Sequence, residues 1–232
     1  MRLHALCLVL AFASGLEARS GDGGRPAEPS YSEAEVTLWM TDQLRMIDAP
    51  LRLTYAFTKN GSHEPGFEDT VELDVVEARA DGMKHVRVKF FTGERHHFVP
   101  DRESTNVNPV LGIFLQGDVY EMDRLTEGHW RYFHRRLKHA FAEAARVRPV
   151  TVEFEGRPVD ATRIEVRPYL GDPHAAELGD FLGKTYAFTV SDRIPGYLYE
   201  VHTIVPGRVS AEAPEAEPLM EERLRLIAMS RR

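Results

Sequence analysis

Ten histidines are the side chains here most able to ligate a metal or move a proton. His96 and His97 are adjacent, so on an extended chain they face opposite sides and need a third residue from elsewhere to share a metal. His129, His134 and His139 are five apart, which turns each about 140° from the last on a helix. They share no face. His134 falls beside an apolar stripe, where a packed, hydrogen-bonded imidazole is expected. His202 and Glu200 lie on one strand face, an arrangement that serves a ligand pair or a cross-strand polar pair equally well.

Hydrolysis needs a nucleophile beside a base, or a metal with an open position. The sequence has no Gly-x-Ser-x-Gly elbow, no His-Glu-x-x-His and no phosphate-binding Gly-rich loop between a strand and a helix. Its one cysteine is Cys7, within a segment expected to be removed, which leaves no mature thiolate and no intramolecular disulfide. No catalytic residue, metal or cofactor is therefore assigned. A hydrolase using carboxylates or His96 and His97 is the third of three functional readings.

The elements that would position any site begin after an export signal. Arg2 precedes Leu3 to Phe12, apolar except for His4, and small residues follow, which reads as a signal peptide over residues 1–20 with cleavage after Gly15 or Ser20. Residues 21–31, with Gly21, Gly23, Gly24 and Pro26, read as a flexible linker. Export without disulfides suits a bacterial periplasm, and no later run approaches the roughly 20 apolar residues of a membrane helix. Loss of Arg2, Arg19 and Glu17 takes 29 basic and 36 acidic side chains to 27 and 35, an acidic balance that disfavours nucleic acid.

Residues 32–206 read as a single α+β domain. Ser32 and Glu35 form a capping box ahead of a helix expected from about Glu33 to Ile47. Leu51, Leu53, Tyr55 and Phe57 alternate as a strand, followed by strands around Val71–Val75 and Val86–Phe90. Asn108 and Pro109 open a nearly all-apolar helix containing Val110, Leu111, Phe114, Leu115, Val119 and Met122. Past Gly128, Trp130, Phe133, Leu137 and Phe141 line one face of a second helix whose other face carries Arg131, Arg135, Lys138 and Arg146. Strands return at Val150–Phe154, Val159–Val166, Tyr186–Val190 and Tyr197–Val205, with a short helical segment from Asp172 to Leu182 between. About seven strands result. Residues 207–232 read as an acidic, Pro-containing linker and an amphipathic helix from Leu219 to Met229.

This order of elements resembles the bacterial lipoprotein-carrier (LolA/LolB-like) superfamily. Locally, Asn108-Pro109-Val110, Arg167-Pro168-Tyr169, Lys184-Thr185-Tyr186-Ala187-Phe188 and Ile194-Pro195-Gly196 resemble exported bacterial proteins to which no activity is attached. The superfamily resemblance implies a strongly curved, half-barrel-like antiparallel sheet packed on central helices and shielding an acyl chain. No ligand residue transfers from it.

The first functional reading is thus a non-enzymatic periplasmic protein that binds a lipid or other apolar molecule in a sheet concavity. Its expected lining is Tyr55, Phe57, Phe90, Phe114, Tyr186 and Phe188, with Arg131 and Arg135 near the entrance. The second is a cell-envelope scaffold or adaptor that holds a partner protein through the basic helix at 129–146.

Overall fold

The computed structural model describes residues 30–207 and 216–231. The expected signal peptide, Cys7, most of the Gly/Pro linker and the middle of the acidic linker lie outside these residues. Ser32 makes the expected capping box with Glu35, opening α1 (Glu33–Glu35). The helix does not continue to Ile47. It widens into a π-helical turn over Val36–Met40, and the chain is extended at Thr41. Beyond that point the Gln43 and Leu44 N–H groups donate to the Asn106 carbonyl at 2.9 and 3.1 Å, bonds that replace those of a continuing helix.

The strands β1 (Leu51–Asn60), β2 (Phe67–Ala78), β3 (Lys84–Phe90) and β4 (Arg102–Thr105) precede the helices α2 (Pro109–Leu125) and α3 (Trp130–Glu143). After them come β5 (Arg146–Phe154), β6 (Arg157–Val166), α4 (Ala175–Leu178), β7 (Thr185–Val190), β8 (Leu198–Val205) and β9 (Met220–Arg231). All nine strands form one antiparallel sheet in the order β4-β3-β2-β1-β9-β8-β7-β6-β5. The sheet is open, with β4 and β5 at its edges. The architecture is α+β.

Two strands separate this count from the seven expected. Four-residue β4 is too short and polar to announce itself. The segment expected as a C-terminal amphipathic helix is instead β9, paired with β1 on one side and β8 on the other. Its Met, Glu, Arg, Leu and Ala residues favour a helix locally. Hydrogen-bonding two neighbouring strands, and burying Met220, Glu222, Leu224 and Leu226 on the inner face, outweighs that preference.

The sequence halves meet at β9, which joins the β1–β4 meander to the β5–β8 meander. Inner-face rows cross the junction in register: Tyr186 pairs with Thr203, Thr203 with Glu222 and Glu222 with Lys59. One row deeper, Phe188, Val201, Leu224 and Phe57 follow one another in the same way. Helices α2 and α3 lie over these rows. Among the described residues no helix is long and apolar enough to cross a membrane.

Candidate functional site beneath the helical hairpin

Asn108 ties the start of α2 to the sheet. Its Oδ1 accepts from the Val110 N–H at 3.0 Å, a cap, while Nδ2 donates to the Tyr55 hydroxyl at 2.9 Å and the Gly196 carbonyl at 2.8 Å. Gly196 has φ +80°, and a Cβ there would meet Leu53 Cδ1 at 2.2 Å, so the turn must be glycine for the helix end to seat. Between α2 and α3, a Cβ on Gly128 would fall 2.2 Å from Phe133 Cζ. That ring closes onto the turn itself.

Under the hairpin the aromatic side chains form two groups. The Phe57 ring centroid lies 4.8 Å from Phe91, 5.3 Å from Phe67 and 6.5 Å from Phe114, and Phe90 stands 4.6 Å from Phe91. Beneath α3, Phe141 is 5.4 Å from Phe188, and Phe133 is 5.7 Å from Tyr169 edge to face. All six aromatics expected as a lining are here, none more than 6% exposed. They are packed core side chains. Open clefts of about 470 and about 200 Å³ lie instead at the α2–α3 turn, against residues 174–178. Arg131 and Arg135 are not beside the aromatics: they stand on the solvent face of α3, opposite its buried Phe133, Leu137 and Ala140.

A row of charges threads between the aromatic groups. Asp118, one turn past Phe114, pairs with Lys184 Nζ and accepts from the Tyr186 hydroxyl at 2.6 Å, and the Tyr186 and Tyr169 hydroxyls are 3.2 Å apart. Neither Asp118 nor Lys184 reaches solvent. One turn further, Glu121 holds Lys59 Nζ at 2.6 Å and Arg124 Nη2 at 2.7 Å, with Glu222 3.8 Å from Lys59. Arg124 also clasps Glu64 at 2.6 Å in the β1–β2 loop. On α3, the Tyr132 hydroxyl and Arg136 Nε reach the enclosed Asp172 carboxylate at 2.6 and 2.8 Å.

Burial and neighbours set the protonation of this row. Burial opposes a charge on Lys59, yet Glu121, Glu222 and Glu64 together raise its pKa above the ordinary lysine value. Glu121 is desolvated too, but hydrogen bonds from Arg124 and Lys59 bring its carboxyl down to about 2. Glu222 goes the other way, because burial, assisted by Asp118 and Glu121, outweighs the pull of Lys184 and Lys59. Burial, then the charge of Asp118, also raises the phenols of Tyr169 and Tyr186.

The histidines are dispersed. His96 and His97 sit on an exposed turn, where the His97 N–H donates to the Phe90 carbonyl at 3.0 Å. His129 caps α3, its Nδ1 accepting from the Arg131 N–H at 3.2 Å. His134 is half-buried, with its pKa lowered by desolvation and then by Lys138. His139 pairs with Glu143 at 3.1 Å. His202 does not pair with Glu200: its Nε2 meets Glu221 Oε1 at 2.7 Å, and Glu200 meets Arg223 at 3.4 Å. Among the described residues no group of three His, Cys, Asp or Glu side chains is arranged to hold a metal.

Sequence reading passed over the charged row. One signal was present: Asp118 is an acid in the middle of an otherwise apolar helix surface. Its partner lies 66 residues away and nothing local points to it.

No family model matches this chain, and no curated protein matches it. Solved structures similar to it include three bacterial ones. The MucA/MucB complex of Pseudomonas aeruginosa is similar over 86% of this chain, at 13% identity and a TM-score of 0.36; the match spans 57% of that chain. The LolA-superfamily protein NE2245 of Nitrosomonas europaea is similar over 86% of this chain and 93% of its own, at 9% identity and a TM-score of 0.23. A domain assigned to outer membrane lipoprotein sorting in Vibrio parahaemolyticus is similar over 85% and 93%, at 12% identity and a TM-score of 0.23.

Proposed function

We propose that this is a periplasmic, non-enzymatic protein that takes up a lipid or another apolar molecule between the curved sheet and the α2–α3 hairpin, which acts as a lid. One observation carries the reading: the hairpin is fastened over two aromatic groups through α2 by a buried ion pair, Asp118 with Lys184, and a half-buried one, Glu121 with Lys59. Apolar side chains would hold two such surfaces together at least as stably, since burying charges sacrifices their hydration. Ion pairs, unlike an apolar seam, form at one docked position and are lost together when the helix lifts. With the lid displaced, Phe57, Phe90, Tyr186 and Phe188 would line the opened sheet face, Phe114 would face them from the underside of the lid, and Tyr55 would lose its bond to Asn108. The closed arrangement is then the unloaded state.

The test is to purify the protein from its native compartment, identify bound molecules by native mass spectrometry and lipid extraction, and repeat after incubation with envelope lipid. A stoichiometric apolar ligand is the expected result. Protein that is apo as purified and stays apo after incubation would overturn the reading.

A second reading, a cell-envelope scaffold, draws on the cations along α3. It requires a protein partner at 129–146 and leaves the core closed throughout.

A further inference from the structure

The outer face of α3 carries a stripe of cations that the protein does not neutralise. Taking Phe133 as the direction of the sheet, Arg131, Arg135 and Lys138 lie within about 60° of one another on the opposite side of the helix, and Ala142 continues their line. Arg146, also exposed, follows the helix by three residues at the start of β5. No carboxylate among the described residues forms an ion pair with any of these four; the other described arginines without one, Arg102, Arg157, Arg167, Arg225 and Arg231, are spread over β4, β6, the segment after it and β9, whereas Arg131, Arg135 and Lys138 share one helix face. In a chain of net charge −7 that grouping marks one face out.

Aromatic side chains flank the stripe. The Arg131 guanidinium lies 4.8 Å from the Trp130 ring centroid, and Trp130 is 5.6 Å from Tyr120, which is 45% exposed. Half-exposed Trp and Tyr beside Arg and Lys are the side chains that settle at a membrane–water boundary, the rings among head groups and the cations against phosphates. The shape agrees. A helix lying on a sheet presents a ridge, which meets a plane more readily than it clasps an extended peptide.

We propose that the Arg131, Arg135, Lys138 and Arg146 face of the protein docks on an anionic membrane surface, with Trp130 and Tyr120 entering the head-group layer. The negative charge elsewhere on the molecule would be repelled, so the bound protein has one orientation, α3 toward the lipid. This inference does not depend on the apolar-ligand reading, because it uses the opposite side of the helix.

Co-sedimentation with phosphatidylglycerol/phosphatidylcholine vesicles, against phosphatidylcholine alone, tests it. The protein should pellet with the anionic vesicles only, and binding should fall steeply from about 0.05 M to about 0.5 M salt as the Debye length shrinks. R131Q/R135Q/K138Q changes only exposed or half-exposed side chains, and an unchanged melting temperature will confirm that it folds. It should bind about a hundredfold more weakly, since each cation near such a surface is worth roughly fivefold in binding. In a Trp39→Phe protein, emission from the remaining Trp130 should shift to the blue on binding. Failure to bind anionic vesicles, or equal binding by the triple variant, would overturn the proposal. So would charge-dependent binding of an acidic polypeptide with none to vesicles, which would assign the face to a protein partner. Ligand content measured on the same samples reports on the core separately.

Discussion

Asp118 and Lys184 form an ion pair inside the protein with neither side chain reaching water, which joins the middle of α2 to the residue just before β7. The Tyr186 hydroxyl, donating to the second Asp118 oxygen at 2.6 Å, completes the carboxylate's shell. An enclosed carboxylate needs all of these partners at once, so the pair defines a single seated position for the helix.

Replacing Lys184 with Met strands the Asp118 carboxylate in the core and should destabilise the protein by about 3–5 kcal/mol. D118L/K184M, which removes both charges, should recover most of that loss. Urea unfolding of the three proteins measures both effects. If the hairpin is a lid, K184M should also take up an apolar fluorescent probe faster than the wild type.

Glu121 links stability to acid. Its folded pKa, about 2, lies below the ordinary 4.5, so its contribution is complete above about pH 4.5 and is lost as the pH falls from there toward 2. Glu121→Gln should therefore be less stable than the wild type at pH 7, and the two unfolding curves should converge near pH 2. Thermal melts across this range supply the comparison.

Glu222 should behave in the opposite sense. Burial raises its pKa above 4.5, so the folded state binds this proton more tightly than the unfolded chain does, and ionised Glu222 opposes folding at neutral pH. Glu222→Gln should raise the melting temperature at pH 8. The gain should disappear near pH 4.5. No gain at pH 8 would show that attraction to Lys59 outweighs the desolvation of Glu222.

Removal of the C-terminal strand should abolish folding. A chain ending at Gly207 would leave β1 and β8 with unpaired inner edges and uncover Phe57 and Val201, whose row neighbour is Leu224. Circular dichroism should show loss of cooperative unfolding. A dispensable tail would leave the melting curve unchanged.

Much of the fold is legible locally because its causes are local. Alternation along Leu51 to Phe57 requires a strand with one buried face. The Asn108–Pro109 pair and the Gly128 turn bound two helices through cap chemistry and backbone freedom that depend on neighbours in sequence. The same reasoning fails at β9, because Met220 to Met229 is helix-prone when read alone and becomes a strand only between partners at least 15 and more than 160 residues away in sequence. It fails similarly for the α1 extension, which is stopped by the distant Asn106 carbonyl.

The candidate site divides along the same line. Sequence by itself determined the α+β class, the two central helices, the aromatic character of the inner face and the cationic stripe on α3, since each follows from periodicity within one element. Tertiary structure decided that the aromatics are closed over by the hairpin, that Arg131 and Arg135 face away from them, and that Lys59, Asp118, Glu121, Lys184 and Glu222 meet in one row. A lone charge in an apolar element shows in sequence only as an exception to the pattern. What neutralises it is a contact between distant segments, and that exists only once the sheet has brought β1, β9, β8 and β7 side by side beneath α2.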